Sequence, residues 1–185
     1  MENLAYEEEY EDEKVEIIDG VEYAMAPARV AHKVVTGNLY RIIADFLYKK
    51  RCKVFMEAGL VLGDDELIPD LMVVCDPSKI KEMYIEGAPD FVAEVLSRST
   101  EMRDKVEKFQ IYEKAGVKEY WIVDIWGHSV SVYRLQDGKF VLSKIHRQRM
   151  EKELSKEDER ALHLKLKLSL YDDLEFDISE VFEDI

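Results

Sequence analysis

The sequence predicts a mixed α/β fold of the α+β kind, with a central mixed sheet flanked by helices. Three observations carry this prediction: helical apolar spacing over residues 29–49, a series of short apolar runs between residues 53 and 96, and a second helical stretch at about 100–115 that leads into another strand.

Taken in order, residues 16–25 alternate loosely around Asp19-Gly20 and read as a small hairpin. Over residues 29–49, His32, Val35, Leu39, Ile43 and Phe46 fall within an arc of about 80° at about 100° per residue, so His32 points with the inner stripe at its first turn. Strand-like runs follow at 53–62, at 68–75 after the turn Gly63-Asp64-Asp65, and at 91–96 after a loop through Pro77 and Gly87. The helix at about 100–115 stops at Gly116, a residue suited to a C-terminal cap, and 119–124 is the next strand. Strands at 129–135 and 139–146 surround Gln136-Asp137-Gly138, whose Asp-Gly pair is a strong hairpin signal. Residues 150–162 are charged and read as a short exposed helix or insertion; Leu164, Leu166 and Leu168 then alternate with Lys165 and Lys167 like a strand, and 172–185 reads as a charged final helix. Tyr120, Trp121, Trp126 and Tyr133 read as core or sheet-face residues rather than base-stacking platforms.

A chain of 185 residues, 47% hydrophobic, can bury one real core, and no repeat or low-complexity linker marks a second domain. The division expected is an acidic, flexible N-terminus over residues 1–16 and a single domain over 17–185 with an acidic C-terminal segment. Neither a signal peptide nor an apolar stretch of about 18 residues is present, so the expectation is a cytoplasmic chain with no membrane partner. Cys52 and Cys75 lack metal-ligand spacing, as do His32, His128, His146 and His163, which speaks against structural zinc and makes the cysteines expected reduced core residues.

The net charge of −14 opposes a nucleic-acid partner until it is located. Residues 1–16 and 172–185 each carry −7, leaving 25 acids and 25 bases between them, so the body is formally neutral. Binding to phosphate backbones is permitted. Either acidic end could also act as a phosphate mimic in a cleft; the plainer reading is a solubilising end.

The chemistry is carried by two carboxylates and a lysine. Asp70 stands in Ile68-Pro69-Asp70-Leu71-Met72-Val73-Val74, where proline can open a strand but not sit inside one, so Asp70 falls where pairing begins. Glu94 stands in Phe91-Val92-Ala93-Glu94-Val95-Leu96. An acid inside such a run is costly to bury without a cation or several donors. Taken singly, each could be a satisfied polar residue. With Lys108 on the following helix they form the minimum kit for metal-assisted phosphodiester cleavage, and oxygen ligands alone favour Mg²⁺ or Mn²⁺. Helical periodicity does not choose between Lys108 and Lys105, since both flank the apolar stripe Met102, Val106 and Phe109. Lys108 could instead form an exposed ion pair with Asp104, worth roughly 0.2–0.5 kcal/mol.

Longer segments read together carry a resemblance: Ile18-Asp19-Gly20-Val21-Glu22-Tyr23-Ala24-Met25-Ala26-Pro27, His32, Pro69-Asp70-Leu71-Met72-Val73-Val74, Glu94-Val95-Leu96-Ser97-Arg98-Ser99-Thr100, Asp104, Lys108, Tyr112, and Ala115-Gly116-Val117-Lys118-Glu119-Tyr120-Trp121-Ile122-Val123-Asp124. Together these resemble the Uma family of restriction-endonuclease-like proteins, a branch of the PD-(D/E)xK nuclease superfamily, over about residues 15–181. The resemblance implies a restriction-endonuclease-like core, Asp70, Glu94 and the Val95 carbonyl as metal ligands, and Lys108 as the catalytic cation. It also makes His32 an active-site neighbour and DNA the substrate, cut to leave 5′-phosphate and 3′-hydroxyl ends. One departure stands out: the lysine of the superfamily pattern follows the acid by two residues, where this chain has Leu96, and the family pattern places it in Asp104-x-x-x-Lys108-x-x-x-Tyr112 instead. Ser97, Ser99 and Thr100 either cap the helix or donate to a phosphate. Homodimerisation is implied by superfamily analogy alone. The competing readings are a nuclease-fold module that binds nucleic acid or protein without turnover, and an interaction protein with no nucleic-acid role.

Overall fold

The computed structural model describes residues 14–98, 101–148 and 165–185. Strands β1 (Val15–Ile18) and β2 (Val21–Ala24) form the expected first hairpin, turning through Asp19 and Gly20 at φ 50° and 76°. Helix α1 (Val30–Leu47) buries His32, Val35, Leu39 and Ile43 of the expected stripe together with Thr36 and Leu47, while Phe46 is partly buried against the same core. There follow β3 (Lys53–Met56), β4 (Gly59–Leu62), β5 (Asp65–Leu67), β6 (Leu71–Val74), a 3₁₀ turn (Pro77–Lys79), β7 (Tyr84–Glu86) and β8 (Phe91–Val95). A π-helical turn (Arg103–Glu107) runs straight into α2 (Lys108–Ala115), which ends at Gly116 with φ 88°. Next come β9 (Glu119–Asp124), β10 (Ser129–Gln136), β11 (Lys139–Arg147), β12 (Lys165–Lys167), β13 (Glu175–Asp177) and α3 (Ile178–Val181).

The central sheet has six strands in the order β11-β10-β9-β8-β6-β3, antiparallel throughout except for the parallel β8/β9 pair. A five-stranded sheet, β2-β1-β5-β4-β7, and the small β12-β13 ladder accompany it. This is the expected mixed α+β architecture.

Strand alternation divides the core in two. Leu71, Val73, Phe91, Ala93, Val95, Trp121 and Val123 pack with α1 and the C-terminal elements. Met72, Val74, Val92, Leu96, Tyr120 and Ile122 pack instead with Ile18, Leu60, Leu67 and Ile85 of the second sheet and Tyr112 of α2. Glu94 falls between Val92 and Leu96 on that second face.

Several expectations need correction. The run 53–62 is two strands, because the chain turns at Glu57 (φ 49°) and sends β3 to β6 and β4 to β5. The loop before residue 91 contains β7, paired in parallel with β4. The final helix is a single turn, α3, with a capping box formed by Asp177 and Glu180. Cys52 and Cys75, expected reduced, are joined in a disulfide: the β3/β6 register, Lys53 opposite Val74, carries Cys52 directly opposite Cys75 with Cα atoms 3.9 Å apart. The charged stretch 150–162, His163, Leu164, Ser99, Thr100 and residues 1–13 of the acidic N-terminus lie outside the described residues. Within the described residues no helix is long and apolar enough to cross a membrane.

Candidate active site

The β6/β8 ladder pairs Leu71 with Ala93 in antiparallel register, so the next pair along is Asp70 opposite Glu94. Both side chains then share one face, at the end where β6 begins. The contacts follow from this placement. Asp70 donates its backbone N–H to Glu94 Oε2 at 3.2 Å, and the Val95 N–H donates to Asp70 Oδ2 at 2.7 Å. His32, one turn into α1, stands with Nε2 3.2 Å from Asp70 Oδ2, while its Nδ1 is buried with no hydrogen-bond partner among the described residues.

The helical segment supplies the rest, and it does so with a ridge beside the apolar stripe that periodicity suggests, of which only Phe109 packs against the core. Met102 and Val106 are exposed; the buried ridge is Asp104, Lys108 and Tyr112. The π-helical turn, one residue wider than an α-turn, ends where α2 starts at Lys108. Tyr120 donates its hydroxyl to the carbonyl of Asp104 at 2.9 Å, holding that turn against the central sheet. Lys108 Nζ lies 3.1 Å from Glu94 Oε1, 2.7 Å from Glu16 Oε1 and 3.8 Å from Asp104 Oδ1. The Tyr112 hydroxyl donates to Glu94 Oε1 at 2.7 Å. Lys105 points outward and pairs with Glu101 at 2.6 Å. The geometry therefore brings Lys108, not Lys105, to the carboxylates, and Lys108 is buried rather than an exposed partner of Asp104.

Glu16 is the residue that sequence reasoning missed. Counted there with the acidic N-terminus, it is 1% exposed on β1, where it receives the Ile68 N–H at 2.9 Å and faces the Arg103 guanidinium at 3.7 Å. One signal could have found it: Ile18, two residues on, is the inward residue of the hairpin, and alternation places Glu16 on the same side.

Three buried carboxylates, Glu16, Glu94 and Asp104, thus surround the buried ammonium of Lys108, and a fourth, Asp70, lies beside Glu94. Burial drives the Glu94 carboxyl well above its ordinary pKa; Lys108 opposes this, and the charges of Asp70, Asp104 and Glu16 add to it. Burial by itself lowers the Lys108 pKa, but Glu94, Glu16 and Asp104 more than reverse that, so its pKa is raised. Tyr112 is likewise raised well above its usual range, by burial first and by Glu94 second, and remains a hydroxyl donor.

The donor set fits a hard divalent cation. Its ligating atoms are oxygens, its excess of negative charge is relieved by taking up a cation, and the Asp70 side chain keeps 13% exposure through which an ion can enter. Among the described residues no group of three or more His, Cys, Asp or Glu side chains is placed to hold a metal ion, so an ion here would take at most two side-chain ligands, Asp70 and Glu94, and depend on water or phosphate for the rest. The remaining pointers are peripheral. Ser97 lies just past β8, Trp121 and Tyr120 are core residues, and Trp126 is half exposed.

Comparisons with known proteins agree with this architecture. An uncharacterised Synechocystis protein, slr1290, is 30% identical over 134 residues, 70% of each chain. A second from the same organism, sll1609, is 28% identical over 156 residues, covering 80% of this chain and 88% of its own. Among solved structures, a crystal structure titled as a putative nuclease belonging to DUF820, from Anabaena variabilis, superposes with a TM-score of 0.67 over 91% of this chain and 89% of its own, at 21% identity, and so shares the fold. The model of the family described as "Uma2: Putative restriction endonuclease" matches residues 1–169, and the chain belongs to that family.

Proposed function

We propose that this chain is an Mg²⁺- or Mn²⁺-dependent endonuclease that hydrolyses DNA phosphodiester bonds. The observation that carries the reading is the contact of Asp70 with Glu94 one step beyond the Leu71/Ala93 pair, with the Lys108 ammonium 3.1 Å from Glu94 Oε1. Asp70 and Glu94, with the Val95 carbonyl, would hold the ion, which when bound supplies Lewis-acid polarisation of the scissile phosphate and stabilises the leaving oxygen. The protein's own groups do the positioning. Lys108, kept protonated by its carboxylate neighbours, acts as a fixed positive charge against the charge building on the phosphorane oxygens rather than as a base. His32 orients Asp70 through Nε2, which leaves its unpartnered Nδ1 as an acceptor for a water. Tyr112 fixes the rotamer of Glu94.

The test is calorimetric titration of Mn²⁺ into the intact protein and into Asp70→Asn, followed by cleavage assays on DNA. Binding in the wild type and its loss in the variant, together with DNA cleavage that Asp70→Ala abolishes, is the expected outcome. DNA binding that survives or improves in Asp70→Ala, with no cleavage by either protein, would replace the enzyme with a non-catalytic binding module.

A further inference from the structure

The shortest contact of the Lys108 ammonium is with Glu16, at 2.7 Å, not with Glu94. Glu16 comes from the other sheet, on β1, and it is itself held. The same Oε1 that receives Lys108 receives the Ile68 N–H at 2.9 Å, and Oε2 faces Arg103 Nη1 at 3.7 Å. Arg103 is fixed in turn, its guanidinium lying 4.0 Å from the centre of the Tyr23 ring on β2. A lysine side chain has a flexible four-carbon stem and a charge without directional preference, so a buried ammonium points where its anions hold it. Ile68 precedes Asp70 by two residues. One carboxylate therefore grips both the lysine and the chain segment that delivers Asp70.

We propose that Glu16 is a positioning residue: it anchors the Lys108 ammonium beside Glu94 and ties that anchor to the entry of β6, making the N-terminal hairpin part of the catalytic apparatus. Without Glu16 the ammonium would be drawn onto Glu94, competing with a cation for that carboxylate. The proposal rests on the nuclease reading for its consequence in catalysis, but the anchoring itself can be read without turnover.

The first measurement is the N–H correlation of the Lys108 ammonium in the full chain labelled with ¹⁵N-lysine, assigned by its disappearance in Lys108→Met. Glu16→Gln keeps the shape of the side chain and removes its charge. It is expected to shift the signal and speed its proton exchange at least tenfold, more than Glu94→Gln does. Glu16→Asp, which keeps the charge on a shorter arm, is expected to fall between wild type and Glu16→Gln, and it decides the matter if Glu16→Gln does not fold. A signal left unchanged by the Glu16 variants, or moved more by Glu94→Gln, overturns the anchoring. The second measurement is Mn²⁺-supported DNA cleavage, where Glu16→Gln should lower kcat at least tenfold with KM little changed; a rise in KM at constant kcat overturns the catalytic consequence. If the wild type cleaves nothing while the ammonium signal responds as expected, the nuclease reading fails and the anchoring stands.

Discussion

Lys105 and Lys108 stand three positions apart, and the side chains occupy opposite environments: Lys105 is 43% exposed beside Glu101, Lys108 only 4% beside three carboxylates. Lys108→Met is expected to reduce DNA cleavage about 10²-fold or more, the size of effect seen when one group stabilising transition-state charge is removed. Lys105→Met should leave the rate within twofold, and steady-state assays on both variants check this. Glu94 yields a prediction in pH. Its folded pKa lies above the ordinary value of 4.5, so the native state holds a proton that the unfolded chain has already released. Its contribution to stability is complete below about pH 4.5 and is lost as pH rises through the folded pKa. Thermal unfolding of the metal-free protein should show stability falling from weakly acidic to neutral pH, with a flatter profile for Glu94→Gln. Saturating Mn²⁺ should reduce the fall, because the ion replaces the proton. Asp70, Glu94 and Lys108 were legible because each is chemically out of place or stands in a family motif. Glu16 was hidden by its neighbours: in a run of eight acids over residues 1–16, composition masks a single inward carboxylate.

At the scale of elements, α1 and the hairpins were readable because apolar period and turn chemistry agree there. The Asp-Gly pairs at 19–20 and 137–138 both take the left-handed turn conformations that such pairs favour. The segment before Gly116 was misread in part: of its expected stripe, Phe109 packs against the core while Met102 and Val106 are exposed. An apolar stripe at Met102 and Val106 normally faces the core, but here Asp104, Lys108 and Tyr112 have stronger partners inside, and the π-helical turn shifts the buried ridge onto them. The double substitution Met102→Lys with Val106→Lys should therefore change stability by no more than about 0.5 kcal/mol per site, as expected of surface positions. A core stripe would lose several kcal/mol. Chemical denaturation distinguishes the two. The break of 53–62 into β3 and β4 was invisible for a different reason: the turn is made by Glu57 at positive φ, and glutamate is no turn signal.

For the whole molecule, the mixed sheet and its flanking helices could be inferred from the order of elements, whereas the separation into two sheets could not, because strand partners are chosen by tertiary packing. The disulfide was misjudged for the same reason: composition suggests isolated thiols, but the β3/β6 register makes Cys52 and Cys75 opposite neighbours. They close a loop with a sequence separation of 23, for which chain entropy gives about 3 kcal/mol of stabilisation. Reduction should lower Tm by roughly 6–12 °C for a chain of this size, at about 2–4 °C per kcal/mol, and parallel melts with and without reductant check it.

The facing of Asp70 and Glu94 depends on counting as much as on chemistry. In a ladder whose side chains alternate, removing one residue from a strand turns everything on one side of the cut to the opposite face. Within β6 such a deletion must either rotate Asp70 away from Glu94 or carry Cys75 out of line with Cys52, since the two mark opposite ends of the same strand. The apolar residues between them can be exchanged for others of similar volume. Their number cannot, so natural variation along this strand should consist of substitutions, with insertions and deletions confined to the turns on either side.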